Sequence, residues 1–233
     1  PKSYKLWSAL ISSLTLNNMS KISFVYFDVG GVVVQDSSGN NKRHEMFEFI
    51  GVPQAREKEF ETYFDQIEIE STRGVDIDSF IEDLRSKFNV TIPANFSFLQ
   101  YVADFVEPNP SLWPVIKQAQ SHCPIGLLTD MYPHLLDEIK KRGLLPQINW
   151  DVIVDSSIEK FQKPDKELYR IAETKARVAP TEILFIDNLQ VNLDPASERS
   201  WQTFLYDPKN PEKSSQELSK FLNQNLISQY KKI

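Results

Sequence analysis

The sequence contains a single cysteine, Cys123, and this scarcity narrows both the folding environment and the metal chemistry. One thiol excludes an intrachain disulfide, so we expect a reducing compartment. His122 stands beside Cys123, but the sequence offers no second pair of zinc ligands at the usual spacing. We therefore interpret His122 and Cys123 as the end of a helix.

An excess of positive charge is also missing. The chain has a formal net charge of −6 at pH 7, whereas a nucleic-acid backbone requires a basic surface. We therefore expect no nucleic-acid partner. The remaining composition, with 41% hydrophobic and 25% charged residues, is typical of a globular protein and argues against wholesale disorder.

Long hydrophobic runs are absent too. The N-terminal stretch "YKLWSALISSLTL" is too short and too rich in serine to span a bilayer, and it lacks the small-x-small cleavage site of a secretory signal. We interpret it as an amphipathic helix that uses Leu6, Leu10 and Leu14, and Met19 is a candidate start codon. We expect a cytoplasmic protein with no membrane partner, either a monomer or a homodimer.

What the sequence does contain is a series of short, apolar, β-branched runs that predict five buried strands. These runs are "KISFVYFDV", "PIGLLT", "WDVIVD", "EILFID" and "QTFLY". Helical patterns such as "HLLDEIKKRGLL" and "KELYRIAETKAR" lie between the later runs, and "SSQELSKFLNQNLISQY" predicts a final covering helix. Together they predict an α/β fold: a Rossmann-like, parallel five-stranded sheet with helices on both faces.

The connection between the first and second strands is unusually long. It has roughly ninety residues, whereas a parallel crossover needs only a dozen or so. Apolar residues recur in it at helix spacing, as at Met46, Phe49 and Ile50, so we expect a helical insertion with its own small core. The predicted division is an N-terminal extension (1–20), a Rossmann-like core (21–35 and 108–233) and a helical insertion (36–107).

Polar residues follow the predicted strands at the points where each strand ends. In open parallel sheets these carboxyl ends form the ligand-binding edge. Two carboxylates there suit a hard cation such as Mg²⁺, while a hydroxyl, a lysine and the bare backbone of "VGG" suit a phosphate. Any one of these residues alone is more often a turn former, a helix cap or a solvated side chain. The candidates are Asp28, Thr129, Asp130, Asp155, Lys163, Asp187 and Asn188.

The order of these residues resembles the haloacid dehalogenase-like hydrolases, a superfamily that includes the aspartate-nucleophile phosphatases. The resemblance covers about residues 21–206 and depends on "FVYFDVGGVV", "GLLTD", "FQKPDKELY" and "ILFIDNLQVN". The insertion lies where that family places its first-type cap. Within it, "TRGVDIDSFIEDL" is similar to the subgroup of glucose-1-phosphate phosphatases and the epoxide hydrolase N-terminal domain.

The resemblance implies a Mg²⁺-dependent phosphatase that acts on a small phosphorylated metabolite. Asp28 would attack the phosphorus and form an aspartyl-phosphate. The cation would be held by the carboxylates of Asp28 and Asp187 and by the backbone carbonyl of Gly30. Thr129 and Lys163 would bind the transferring phosphoryl group. Two further roles are implied, namely phosphate binding at Gly31 and a metal contact at Asn188, either through water or through its amide oxygen.

Two positions depart from the family pattern. Gly30 stands where the family usually has an aspartate that serves as general acid and base, so we expect substrates with a good leaving group, such as anomeric or acyl phosphates. Asp130 stands at a position that is commonly asparagine; its side chain either turns away from the phosphate or is protonated and supplies the missing acid. The alternative function is a catalytically weak relative that binds a metabolite or a protein partner. A phosphoaccepting receiver domain is disfavoured because it gives no reason for the insertion.

Overall fold

The structure, a computed structural model, describes residues 21–36 and 42–226. The predicted N-terminal extension therefore lies outside the described residues. A five-stranded parallel sheet forms the centre, in the order β5-β4-β1-β6-β7. Its strands are β1 (Phe24–Phe27), β4 (Ile125–Thr129), β5 (Val152–Asp155), β6 (Ile183–Asp187) and β7 (Gln202–Leu205). The predicted strands and their parallel arrangement are confirmed.

Side chains of the central strand alternate between two hydrophobic clusters, one on each face of the sheet. Val25 and Phe27 belong to one cluster, and Phe24 and Tyr26 belong to the other. This alternation follows from the two-residue period of a strand. Because every residue of β1 is buried, the strand reads as one continuous apolar run.

Six helices of the described chain accompany this sheet. Leu168 and Ala172 of α8 (Lys166–Ala176) enter one hydrophobic cluster, while Leu218 and Leu222 of the C-terminal α10 (Pro211–Asn225) enter the other. The sheet is therefore covered on both faces, as expected. The helices are α5 (Trp113–Gln120), α6 (Leu135–Lys141), α7 (Ser156–Glu159), α8 (Lys166–Ala176), α9 (Gln190–Glu198) and α10 (Pro211–Asn225).

A helical segment is inserted between two very short strands, β2 (Val34–Gln35) and β3 (Glu107–Pro108), which pair antiparallel. This two-stranded ribbon was not predicted. The inserted helices are α1 (Lys42–Phe49), α2 (Glu57–Thr72), α3 (Ile81–Phe88) and α4 (Phe98–Asp104). The exact limits of the predicted core and insertion stay a prediction. None of the helices in the described ranges is both long and apolar enough to cross a membrane.

Aromatic side chains fill the interior of the inserted segment. Phe60 packs against Phe47, Phe64 and Phe88 with ring centroids 4.8 to 5.9 Å apart. The prediction that Phe49 lies in this core is wrong: Phe49 is 59% exposed, whereas Phe47, two residues earlier, is buried. The reason is that α1 turns Met46 and Phe47 toward the other inserted helices.

Candidate active site

Three neighbouring strands and one loop bring the predicted site residues together. Asp28 follows β1, Thr129 ends β4 and Asp187 ends β6, so all three lie at the carboxyl edge of the sheet. Lys163 lies in the loop between α7 and α8, and its Nζ is 2.8 Å from Asp28 Oδ2 and 2.7 Å from Asp187 Oδ2. The lysine side chain is 1% exposed and therefore points into the site rather than into solvent.

Asp187 is held by donors on every side. Its carboxylate accepts hydrogen bonds from Lys163 Nζ, from the backbone N–H of Leu189 at 2.8 Å, and from Asn192 Nδ2 at 3.2 and 3.1 Å. The Tyr169 hydroxyl donates to the backbone carbonyl of Asn192 at 2.6 Å and so braces the same helix. Asn192 is the last residue of the motif "ILFIDNLQVN", but this positioning role was not predicted for it. A helix pattern does not reveal which polar residue turns inward.

The site brings three carboxyl groups, those of Asp28, Asp130 and Asp187, close to the single ammonium of Lys163. Burial raises the pKa of Asp28 to about 8, although the ammonium of Lys163 acts to lower it; nearby Asp187 raises it further. Burial disfavours a charged Lys163, but Asp187 and Asp28 outweigh this effect and raise the pKa of the lysine. When ionised, Asp28, Asp130 and Asp187 therefore outnumber the single ammonium they surround, which favours an added cation.

Thr129 places a hydroxyl at the end of β4, on the carboxyl edge of the sheet. The residue is buried, and within the described chain its Oγ1 has no hydrogen-bond partner. Leaving a buried polar group unsatisfied costs about 1–3 kcal/mol. A ligand oxygen at this position would satisfy the hydroxyl, as expected for a phosphate contact.

Two strand-end carboxylates serve local structure. Asp130 Oδ1 accepts the backbone N–H of Lys163 at 3.0 Å, and burial raises the pKa of Asp130. The carboxylate of Asp130 is therefore directed toward the loop that carries Lys163. Asp155 Oδ1 accepts the backbone N–H and the hydroxyl of Ser157 at 2.9 and 2.7 Å, which makes Asp155 the cap of α7.

Both glycines after Asp28 are closely packed. Gly31 has φ +70°, and a Cβ at this position would lie 2.4 Å from Asn188 Nδ2. Glycine is therefore required at position 31 both for its backbone conformation and for the approach of Asn188. A Cβ at Gly30 would lie 2.6 Å from Asp36 Oδ2. Sequence reasoning missed Asp36, because its return to Gly30 depends on the turn between them.

A cavity of about 190 Å³ lies beside the site, between core loops and the inserted helices. Its walls include Gly30, Asp36 and Asp130, together with Thr72 of α2 and Val102 of α4. The inserted segment therefore closes one side of the space next to the strand ends.

A hydrogen bond joins the core to the inserted segment beside this cavity. The Tyr132 hydroxyl donates to Glu68 Oε1 at 2.6 Å. Tyr132 also lines the cavity, so the hydrogen bond holds α2 over it.

The donor set fits a hard divalent cation. Asp28 and Asp187 supply carboxylate oxygens, which Mg²⁺ prefers. No group of three His, Cys, Asp or Glu side chains in the described chain could form an all-side-chain cage. Mg²⁺ commonly binds through one or two carboxylates with water and phosphate oxygens, so two suffice. Because the acceptor positions of Asp187 are already used by four hydrogen bonds, a cation there would replace at least one donor.

Comparison with known protein families identifies the family of this chain. Residues 22–193 match the haloacid dehalogenase-like hydrolase family. The chain belongs to the haloacid dehalogenase-like hydrolases. Among curated proteins, this hydrolase is 24% identical over 122 residues to the bifunctional epoxide hydrolase 2 of Rattus norvegicus. That alignment covers 49% of the chain and only 22% of the rat protein, so the chain spans about a fifth of that relative.

Solved structures support the same fold for this haloacid dehalogenase-like hydrolase. A family enzyme from Bacteroides thetaiotaomicron, crystallised with magnesium and inorganic phosphate, is 19% identical with a TM-score of 0.66, covering 79% of this chain and 94% of that one. The L-2-haloacid dehalogenase of Xanthobacter autotrophicus with covalently bound chloropropionic acid is 16% identical with a TM-score of 0.56, covering 89% and 90%. At these identities the likeness establishes the fold alone.

Proposed function

We propose that this hydrolase is a phosphatase that uses Asp28 as its nucleophile. The observation that carries the proposal is the buried contact of Lys163 Nζ with both Asp28 and Asp187. Thr129 lies at the same edge of the sheet, and its hydroxyl has no hydrogen-bond partner among the residues that the structure describes. An ammonium and a hydroxyl beside a nucleophilic carboxylate suit a phosphoryl group, because both can donate hydrogen bonds to its oxygens.

The proposed reaction proceeds in two steps. A carboxylate oxygen of Asp28 attacks the phosphorus, the bond from phosphorus to the leaving-group oxygen breaks, and an aspartyl-phosphate forms. Water then attacks this phosphorus, which releases inorganic phosphate and restores Asp28. Lys163 and Thr129 hold the phosphoryl oxygens, and Lys163 reduces the repulsion between the nucleophile and the substrate.

Mg²⁺ is the proposed cofactor, with Asp28 and Asp187 as the side chains that would hold it. The backbone carbonyl of Gly30 remains a further candidate ligand, and Asn188 a candidate for an indirect contact. When bound, the cation neutralises charge on the carboxylates and phosphate. The raised pKa of Asp28 makes this neutralisation important, because a nearby positive charge favours the ionised, nucleophilic carboxylate.

The proposed substrate is a small phosphorylated metabolite, such as a sugar phosphate. If Gly30 leaves the site without any general acid, only substrates with good leaving groups, such as anomeric or acyl phosphates, should react well. Relatives in this family include haloacid dehalogenases. We favour phosphatase chemistry, because dehalogenases usually carry a tyrosine where this chain has Gly30.

A second candidate function is a catalytically weak protein that binds a metabolite or a protein partner. Two features favour this alternative. Glycine stands at position 30 in place of the family's usual aspartate, and the carboxylate of Asp187 already accepts four hydrogen bonds. The presence of Asp28, Lys163 and Thr129 in one buried cluster favours catalysis, because pure binding gives no reason for a nucleophile.

Hydrolysis of acetyl phosphate with and without Mg²⁺ tests the proposal. We expect Mg²⁺-dependent release of phosphate by the purified protein and its loss in Asp28→Asn. Asp155→Asn is a matched control, because Asp155 ends another strand of the same sheet but caps a helix. Activity that survives Asp28→Asn would contradict the nucleophilic role, and no activity in the wild type would favour the binding function.

A further inference from the structure

Gly30 leaves a space that another carboxylate approaches. Directly after β1 the backbone turns back on itself, and the N–H of Val34 donates to the carbonyl of Val29 at 3.0 Å. Gly30 and Val34 also form an isolated β-bridge. The β2 strand then delivers Asp36 next to Gly30, where Asp36 Oδ2 lies 2.6 Å from the position of a Cβ on Gly30.

This separation corresponds to the length of an aspartate side chain. An aspartate at position 30 would carry its own carboxylate oxygens two bonds, or about 2.4 Å, from its Cβ. Asp36 Oδ2 therefore lies near the shell of positions that those oxygens would reach. Asp36, six positions after Gly30, therefore places a carboxylate oxygen near the position that the carboxylate of an aspartate at position 30 would occupy.

Asp36 also lines the cavity beside the strand ends, together with Gly30 and Asp130. Val29 and Gly30, the two residues after Asp28, line this cavity, and we take it as the space for the leaving group of a substrate bound at Asp28. Asp130 lines the same cavity, and its Oδ1 accepts the backbone N–H of Lys163. The atoms nearest to the Cβ position of Gly30 belong to Asp36, and this position favours Asp36 over Asp130 as the group that meets the leaving-group oxygen.

We infer that Asp36 serves as the general acid and base of this hydrolase, an inference that rests on the proposed phosphatase function. In the first step its carboxyl proton passes to the leaving-group oxygen as the bond to phosphorus breaks. In the second step the resulting carboxylate takes a proton from the water that attacks the aspartyl-phosphate, which restores the carboxyl group. Alkyl phosphates, whose leaving groups need this proton, are then substrates of the wild-type enzyme.

Two substrates with different leaving groups test the inference. For Asp36→Asn we compare kcat/KM, which reports only the steps up to formation of the aspartyl-phosphate and so excludes the second step that both substrates share. We expect kcat/KM to fall by about 10²–10⁴-fold with ethyl phosphate, the usual contribution of a general acid, and by less than about tenfold with acetyl phosphate. Structural damage would lower both rates together, so equal losses overturn the inference. The reverse assignment, in which Asp130→Asn gives the selective loss and Asp36→Asn does not, overturns it as well.

A relocation of the carboxylate provides the second variant. Gly30 has no positive φ, so its backbone accepts a side chain, but the Asp36 carboxylate would collide with it. The double variant Gly30→Asp with Asp36→Gly should recover at least about tenfold of the ethyl phosphate activity lost in Asp36→Gly alone. Absence of recovery counts against the interchange of the two carboxylates.

Failure of the inference is distinguishable from failure of the proposed function. A wild-type enzyme that hydrolyses acetyl phosphate through Asp28 but not ethyl phosphate overturns the role of Asp36 and leaves the phosphatase standing. A wild-type enzyme that hydrolyses neither substrate overturns both.

Discussion

Under the proposed function, the hydroxyl of Thr129 weakens the ligand-free fold and binds the phosphoryl group of the ligand. Its hydroxyl is buried without a partner in the described chain. Replacing it with valine, which has the same shape, removes an unsatisfied polar group. We expect Thr129→Val to raise the free energy of unfolding of the ligand-free protein by about 1 kcal/mol, measured by urea denaturation.

The same variant should lose catalysis. A hydrogen bond to a charged group contributes about 1.5–3 kcal/mol, so kcat/KM for acetyl phosphate should fall about 10- to 100-fold. Thr129→Ser keeps the hydroxyl and is the matched control. If Thr129→Val retains full activity, Thr129 does not bind the phosphoryl group.

Several residues of the site were predictable, and the exceptions have a common cause. Asp28, Thr129 and Asp187 each follow a recognisable apolar run, so their meeting follows from the parallel sheet. The turn that returns Asp36 to Gly30 leaves no periodic signal in the sequence. Asn192 was visible in a motif, but its contact with Asp187 depends on the rotation of α9.

The N-terminus of α8 holds one end of the loop that carries Lys163. Asp165 precedes the helix, and its side chain accepts the backbone N–H of Glu167 at 3.0 Å. Aspartate is a favoured residue at this position because it satisfies a free N–H of the first turn. Lys163 lies two residues before this cap, so the cap also fixes the end of the loop that carries the lysine.

Removal of this cap should destabilise the protein modestly. We expect Asp165→Ala to lower the free energy of unfolding by about 1 kcal/mol in urea denaturation. Asp165→Asn retains an acceptor oxygen and should lose much less. Equal losses in the two variants would show that the negative charge near the helix N-terminus, rather than the hydrogen bond, provides the stabilisation.

The longer elements of this fold were predictable because their patterns are strong. Five continuous apolar runs became the five strands of the sheet, and helix-spaced runs became α6, α8 and α10. The ribbon of β2 and β3 has only two residues in each strand, too few to show alternation. Phe49 was misplaced because α1 contains two phenylalanines two residues apart, and helix spacing alone does not decide which one faces inward.

The fold as a unit concentrates buried carboxylates around one lysine, and this arrangement makes the stability of the protein depend on pH. Burial raises the pKa of Asp28 from 3.8 to about 8 in the folded state. The folded state therefore binds one more proton than the unfolded chain between about pH 4 and pH 8. This contribution to stability is fully present below pH 4 and is lost as the pH rises through 8.

Denaturation of the metal-free protein from pH 4 to pH 8, with a chelator present, measures this effect. Because one group contributes at most about 1.4 kcal/mol per pH unit, the wild type should lose free energy of unfolding relative to Asp28→Asn with a slope no steeper than this. Asp155→Asn retains Asp28 and should therefore keep the slope that Asp28 contributes, while losing the smaller pH dependence of Asp155, whose pKa burial also raises. A difference between wild type and Asp28→Asn that stays constant over this range would mean that Asp28 keeps an ordinary pKa. The carboxylate would then be ionised near neutral pH without help from a bound cation.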